Sequence, residues 1–169
     1  MNCLLLRHGI AVSPHEWSGT EFTRPLTKEG ITKTRKAAEG LREINIHPTH
    51  ILCSPLTRAQ ETAKIAKETL GIEAKIQLSP ELVFDQSPLL LFPILNQLSS
   101  TATVLCVGHE PHLGQTAALM VSGKECPGLS VKKAGAVLIA FEGEVRPGRG
   151  WLEWWIPPAQ LRMLGKGDQ

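Results

Sequence analysis

An α/β fold, a three-layer sandwich with a mostly parallel sheet and helices on both faces, is predicted by three observations on this 169-residue sequence. Apolar runs without polar alternation recur at residues 3–6, 51–53 and 103–107, the pattern of strands buried on both faces. Segments with apolar residues at helical spacing separate them, and strands alternating with helices favour parallel pairing with right-handed crossovers. The length suits a single domain over residues 1–169, because one core typically serves roughly 100 to 200 residues.

The elements follow in chain order. Residues 2–7 form a strand, and residues 8–25, with Gly, Pro and Ser, form a long loop of the kind that is usually functional. Thr27 is a candidate N-cap for a helix reaching about Glu43, with Glu29 in its first turn and Ile31, Ala38 and Leu41 on one face. Residues 51–53 are a strand running into Ser54-Pro55, which reads as an N-cap followed by proline at the first helical position. Leu56, Ala59, Ala63, Ala66 and Leu70 line one face of the next helix, and Gly71 supplies its stop. Residues 74–78 form a further strand. Ser87-Pro88 opens an apolar helical segment to Leu98 in which Pro93 is expected to cost a hydrogen bond and introduce a kink. A strand over 103–107 is followed by a helix over 112–121 ending at Gly123, and strands over 135–141 and 151–156 complete the sheet, with Pro157-Pro158 closing the last. Packing on the sheet is the expected use of most of Trp151, Trp154 and Trp155, and the apolar segment 89–98 is expected in the core.

Composition narrows the function classes. No stretch approaches the roughly 20 apolar residues of a membrane span, and the opening apolar run lacks a basic leader and a cleavage site. Cys3, Cys53, Cys106 and Cys126 are scattered, three of them in apolar runs, where thiols behave as small buried hydrophobes. These features point to a cytoplasmic protein. A formal net charge of +2 with interspersed signs describes a solvated surface rather than a nucleic-acid interface. The absence of heptads and of a long unprotected strand is consistent with a monomer.

In open α/β sheets ligands bind beyond the carboxyl ends of the strands. Three predicted strand ends there carry Arg7-His8-Gly9, Ser54-Pro-Leu-Thr-Arg58 and Gly108-His109. Two guanidinium forks beside two imidazoles make an anion site with nucleophilic capacity, and phosphate is its natural guest. Arg58 falls near the first turn of its helix, where the dipole disfavours a cation unless an anion is bound. A solvent-facing Arg58 is the alternative, penalised by less than about 1 kcal/mol.

Leu4-Leu-Leu-Arg-His-Gly9, Ser54-Pro-Leu-Thr-Arg-Ala-Gln-Glu-Thr-Ala63 and Gly108-His-Glu-Pro111 resemble, in order and spacing, the three signatures of the histidine phosphatase superfamily. Arg24-Pro-Leu-Thr-Lys-Glu-Gly30, Lys132-Lys-Ala-Gly135 and the closing Trp-Ile-Pro-Pro158 are similar to the SixA-type phosphohistidine phosphatases. The resemblance implies a phosphoglycerate mutase-like fold in which His8 attacks phosphorus and carries the phosphoryl group, Arg7, Arg58 and His109 neutralise its oxygens, and water hydrolyses the phosphoenzyme. It implies neither metal nor organic cofactor, and a phosphohistidine-bearing protein or a small phosphorylated molecule as substrate. Gly9, without a side chain, is expected to let backbone approach the phosphate. Arg24 is either a further phosphate ligand or an ordinary exposed arginine.

The general acid is where the chain departs from the wider family. Many members carry a glutamate shortly after the strand corresponding to residues 74–78, whereas Phe84 falls there, with Glu81 and Asp85 nearby. A phosphorylated imidazole whose other nitrogen is protonated leaves as neutral imidazole and needs less help than an alkoxide, so the gap favours phosphoramidate substrates. The alternatives are a small-molecule phosphomonoesterase and a non-catalytic phosphohistidine-binding module. A metal site at His47/His50 or His109/His112 is disfavoured, since proline interrupts both pairs and no clear ligand set stands beside them. His112 is expected at the surface or at a helix start.

Overall fold

The computed structural model describes residues 1–165. Its strands are β1 (Asn2–Arg7), β2 (His50–Cys53), β3 (Ile76–Leu78), β4 (Thr103–Gly108), β5 (Ala136–Ala140) and β6 (Trp151–Ile156). They form one sheet in the order β3-β2-β4-β1-β5-β6. Pairs β3–β2, β2–β4 and β4–β1 are parallel, while β5 runs antiparallel to both β1 and β6. The sheet is therefore mixed and mostly parallel.

Among the described residues five α-helices cover it: α1 (Lys28–Glu43), α2 (Thr57–Leu70), α3 (Leu91–Leu95), α4 (His112–Ser122) and α5 (Pro158–Leu164). Successive side chains of a strand point to opposite faces, and the central strands use both. Cys3 and Leu5 of β1, Val104 and Cys106 of β4, and Val137 and Ile139 of β5 pack with Leu91, Leu95, Leu113 and Met120 of α3 and α4. Leu4 and Leu6, Leu105 and Val107, and Ala136 and Leu138 pack instead with α1, α2 and α5 through Leu41, Ala59, Ala63, Ala66 and Leu161. This double burial is the physical reason the strand runs do not alternate. Trp154 and Trp155 pack against opposite cores, while Trp151 is exposed.

Local signals behave as expected at several boundaries. Thr27 caps α1 by accepting from the Gly30 N–H at 2.9 Å, and Gly71 ends α2 at φ 65°, a conformation that costs glycine little. Other expectations are corrected. The second helix starts at Thr57, capped by Leu56 without a side-chain hydrogen bond; the Ser54 hydroxyl lies ahead of it, accepting from Leu56 N–H at 3.4 Å and bonded to a histidine ring at 2.7 Å. The segment from Pro88 is broken into a 3-10 turn (Pro88–Leu90) and the short α3, with Pro93 inside α3's first turn. There a missing N–H costs nothing, since first-turn donors lack helical partners. Leu91, Phe92 and Leu95 are in the core, but Leu89 and Leu90 are exposed. Pro157-Pro158 closes β6 and also opens α5, with Pro at the first helical position.

Cys3, Cys53 and Cys106 are buried thiols, and Cys126 is exposed. Burial pushes the Cys53 thiol up to about 12, a sign of packing rather than reactivity. Among the described residues no helix is long and apolar enough to cross a membrane.

Candidate active site

Parallel pairing of β1 with β4 sets Arg7 opposite Gly108, so the next residues, His8 and His109, leave the sheet side by side. The His8 N–H continues the ladder by donating to the Gly108 carbonyl at 3.1 Å, and Ser54 N–H donates to Val107 O at 2.9 Å at the end of β2. The two imidazoles lie with ring centroids 4.9 Å apart. Arg58, second residue of α2, brings its guanidinium to the same point and is only 3 % exposed.

The hydrogen bonds fix the state of His8. Its Nδ1 lies 2.7 Å from the Gly9 carbonyl, an acceptor only, so Nδ1 carries the proton. Nε2 then holds a lone pair, and it accepts from Arg58 Nε at 3.3 Å. Both contacts demand the same tautomer. Burial, followed by the charges of Arg58, Arg7 and Lys133, pushes the His8 pKa down to about 3. The ring is neutral at physiological pH with its free electron pair turned toward the arginines. Gly9 contributes twice to this arrangement, since its N–H donates to Thr62 Oγ1 at 3.1 Å. Both backbone groups thus have protein partners, and a β-carbon here would collide with the Thr34 hydroxyl on α1.

His109 Nε2 is bonded to Ser54 Oγ at 2.7 Å, and its Nδ1 is buried without a partner. Burial, then the proximity of His8, Arg58 and His112, holds it well below the usual imidazole range. Arg7 donates from Nη1 to the Val131 carbonyl at 2.8 Å, while its Nε is buried and unpartnered. The Val131 loop is held in turn by Glu110, whose Oε1 accepts from Val131 N–H at 2.8 Å. His112 does begin α4, but it is fully buried rather than at the surface.

Among the described residues, neither carboxylate considered after β3 is hydrogen-bonded to this cluster. Glu81 accepts from Ser79 Oγ at 2.7 Å, Asp85 is paired with Gln86 at 3.3 Å, and the Phe84 ring sits edge-on to His109 with centroids 6.0 Å apart. The carboxylate that reaches the cluster comes from the long loop. Glu21, on a 3-10 turn (Glu21–Thr23), binds Arg58 Nη2 through Oε1 at 2.8 Å and is gripped by Arg24 through Nη2 and Nε at 2.6 and 2.8 Å. Arg24 is accordingly half-buried in the pocket wall, one carboxylate away from Arg58, and its Nη1 donates to Val12 O at 2.8 Å. Sequence reasoning passed over Glu21 because the loop has no periodicity. Its one signal is an acidic residue three positions before Arg24.

The chain is similar to known proteins along nearly its whole length. The family model described as histidine phosphatase superfamily (branch 1) matches residues 3–83, which include Arg7, His8 and Arg58. An uncharacterised protein of Picosynechococcus sp. is 32 % identical over 138 residues, 81 % of this chain and 83 % of its own length. The phosphohistidine phosphatase SixA of Escherichia coli is 26 % identical over 165 residues, 96 % of this chain and 98 % of that protein. The structure of the protein histidine phosphatase SixA complexed with tungstate superposes with a TM-score of 0.83 at 24 % identity, covering 95 % of this chain and 99 % of the other. Sequence relationship along nearly the whole chain, on a shared fold, accounts for the strand-end signatures meeting at one edge: this protein is a phosphatase belonging to the histidine phosphatase superfamily.

Proposed function

We propose that the protein is a phosphohistidine phosphatase that works through a phosphorylated His8, acting as a single domain on a phosphohistidine-bearing protein in the cytoplasm. The observation that carries this reading is the neutral His8 ring, protonated at Nδ1 by its bond to Gly9 O, with Nε2 facing the Arg58 guanidinium. Nε2 attacks phosphorus, the bond from phosphorus to the leaving nitrogen breaks, and the leaving ring, protonated at its other nitrogen, takes that electron pair and departs as neutral imidazole. His8 becomes a phosphoimidazolium whose charge is balanced by the phosphoryl oxygens. Arg7, Arg58 and His109 draw the negative charge of the transferred group, the electrostatic help that dominates phosphoryl transfer. Water then attacks phosphorus on the face away from His8 Nε2, regenerating neutral His8 and releasing phosphate.

Preference for a phosphoramidate is supported by the groups after β3. An alkoxide leaving group needs a proton donor, yet Phe84 takes the position beside His109, Glu81 is engaged by Ser79, and Glu21 is held ionised by the Arg24 hydrogen bond and by Arg58. A neutral imidazole leaving group needs no such donor. The test is to incubate wild type and His8→Ala with phosphohistidine and with a phosphomonoester, following phosphate release and acid-labile label on the protein. Wild type is expected to prefer phosphohistidine and to carry label that His8→Ala lacks. Preference for the monoester would remove the substrate assignment and leave the superfamily chemistry; an active, labelled His8→Ala would remove the mechanism.

A further inference from the structure

The guanidinium of Arg58 already holds an anion. Its Nε donates to His8, its Nη1 to the backbone carbonyl of Glu21 at 3.0 Å, and its Nη2 to the Glu21 carboxylate at 2.8 Å. The same carboxylate bridges to the Arg24 fork. Its Oε1 thus takes the charge-assisted contact with Arg58 Nη2 that an oxygen of a phosphoryl group would seek, while Oε2 is held by Arg24 Nε. We propose that Glu21 is an internal competitor for the phosphate pocket, occupying Arg58 in the resting protein and yielding that contact when a phosphoryl group enters.

The inference rests on the assignment of Arg58 to phosphate binding. Exposure decides which partner moves: the Arg58 side chain is 3 % accessible and the Glu21 side chain 44 %. The arginine is fixed by α2 and His8, whereas the carboxylate lies at the solvent side. The 3-10 turn that carries Glu21 buries none of its residues. Its stem is pinned separately, by the antiparallel bridge of Ala11 with Leu26 and by Val12 N–H donating to Pro25 O at 2.9 Å. The Glu21 side chain can swing away while its backbone carbonyl stays on Arg58 Nη1. Sharing is disfavoured, because a carboxylate and a phosphoryl dianion on one guanidinium repel each other. Displacement therefore taxes every anion that binds, and only one making the full set of contacts with Arg7, His109 and Arg58 recovers the loss.

Titration calorimetry with inorganic phosphate at neutral pH tests this on wild type, Glu21→Gln, Glu21→Ala, Arg58→Ala and Arg58→Lys, each first checked by circular dichroism for folding. Both Glu21 variants are expected to bind phosphate about fivefold more tightly, the scale of a partly exposed ion pair, and both Arg58 variants much more weakly. Equal or weaker binding by the Glu21 variants, with binding still lost in the Arg58 variants, overturns the competitor role and leaves the pocket intact. Unchanged binding by the Arg58 variants, or no binding by any protein, overturns the pocket assignment and the competitor with it.

Discussion

At the scale of single residues, the proposed mechanism depends on one imidazole being kept neutral and in one tautomer. An imidazole in water is half protonated near pH 6.5, and a protonated His8 has no electron pair to offer. Burial and three neighbouring cations suppress protonation down to about 3, while Gly9 O and Arg58 Nε select the Nδ1–H form. Nitrogen-15 NMR is accordingly expected to show His8 as the Nδ1–H tautomer with no protonation between pH 8 and 5; a midpoint near 6.5 would contradict the packing described for the site. Gly9 carries the second expectation at this scale. Gly9→Ala drives a methyl into Thr34 Oγ1, an overpacking that costs about 1–3 kcal/mol. Thr34 Oγ1 is buried without a partner, so its removal is cheap. Urea midpoints should therefore fall for Gly9→Ala and recover in part for the Gly9→Ala, Thr34→Ala pair.

At the scale of elements, α5 shows how a close helix contact is made and how a sequence hides it. Gly40 on α1 faces the Leu161 carbonyl so closely that an added β-carbon would overlap it, and a backbone carbonyl cannot rotate away. Gly40→Ala should destabilise the protein by about 1–3 kcal/mol, read from the urea midpoint, with His8 label formation retained because the contact lies away from the β1 edge. Pro157-Pro158 announced an ending, and the same prolines preorganise the first turn of α5; one dipeptide supports both readings until tertiary packing chooses. Ser54 was ambiguous in another way. Its local signal was helix capping, but the helix starts three residues later, and the hydroxyl is shared between Leu56 N–H and His109, brought beside it by β2–β4 pairing. Strands β1 and β4 were legible because burial on both faces leaves an uninterrupted apolar run, and Arg7, His8 and His109 because they sit at strand ends in short motifs, with Arg58 in the motif that leads from β2 into α2. Glu21 and Thr62 were not, since their roles arise from contacts between segments that no local pattern records.

For the whole molecule, the strand edge that builds the site also carries an acid sensitivity. Three imidazoles, His8, His109 and His112, are buried there, and burial is the leading cause holding each pKa down, to about 3 for His8 and about 4 for His112. In the unfolded chain they titrate near 6.5. Above that value both states hold them neutral and the full stability is present. As pH falls below 6.5 the unfolded state binds protons that the native state refuses, and stability declines until the native values are passed. Glu21, held low first by the Arg24 hydrogen bond, adds to the loss as pH drops below its unfolded value near 4.5. Glu110 works in the other direction, because burial raises its carboxyl and its protonation favours the native state as pH falls. Three imidazoles outweigh that one carboxyl between pH 6.5 and 5, so the urea midpoint should decrease steadily across this interval. His112→Asn removes one of the three proton uptakes and should flatten the slope even though it lowers stability at pH 8. Saturating phosphate should raise the midpoint at each pH by binding the native state. A midpoint constant from pH 7 to 5, or an unchanged slope in His112→Asn, would mean that these imidazoles do not set the acid limit of the fold.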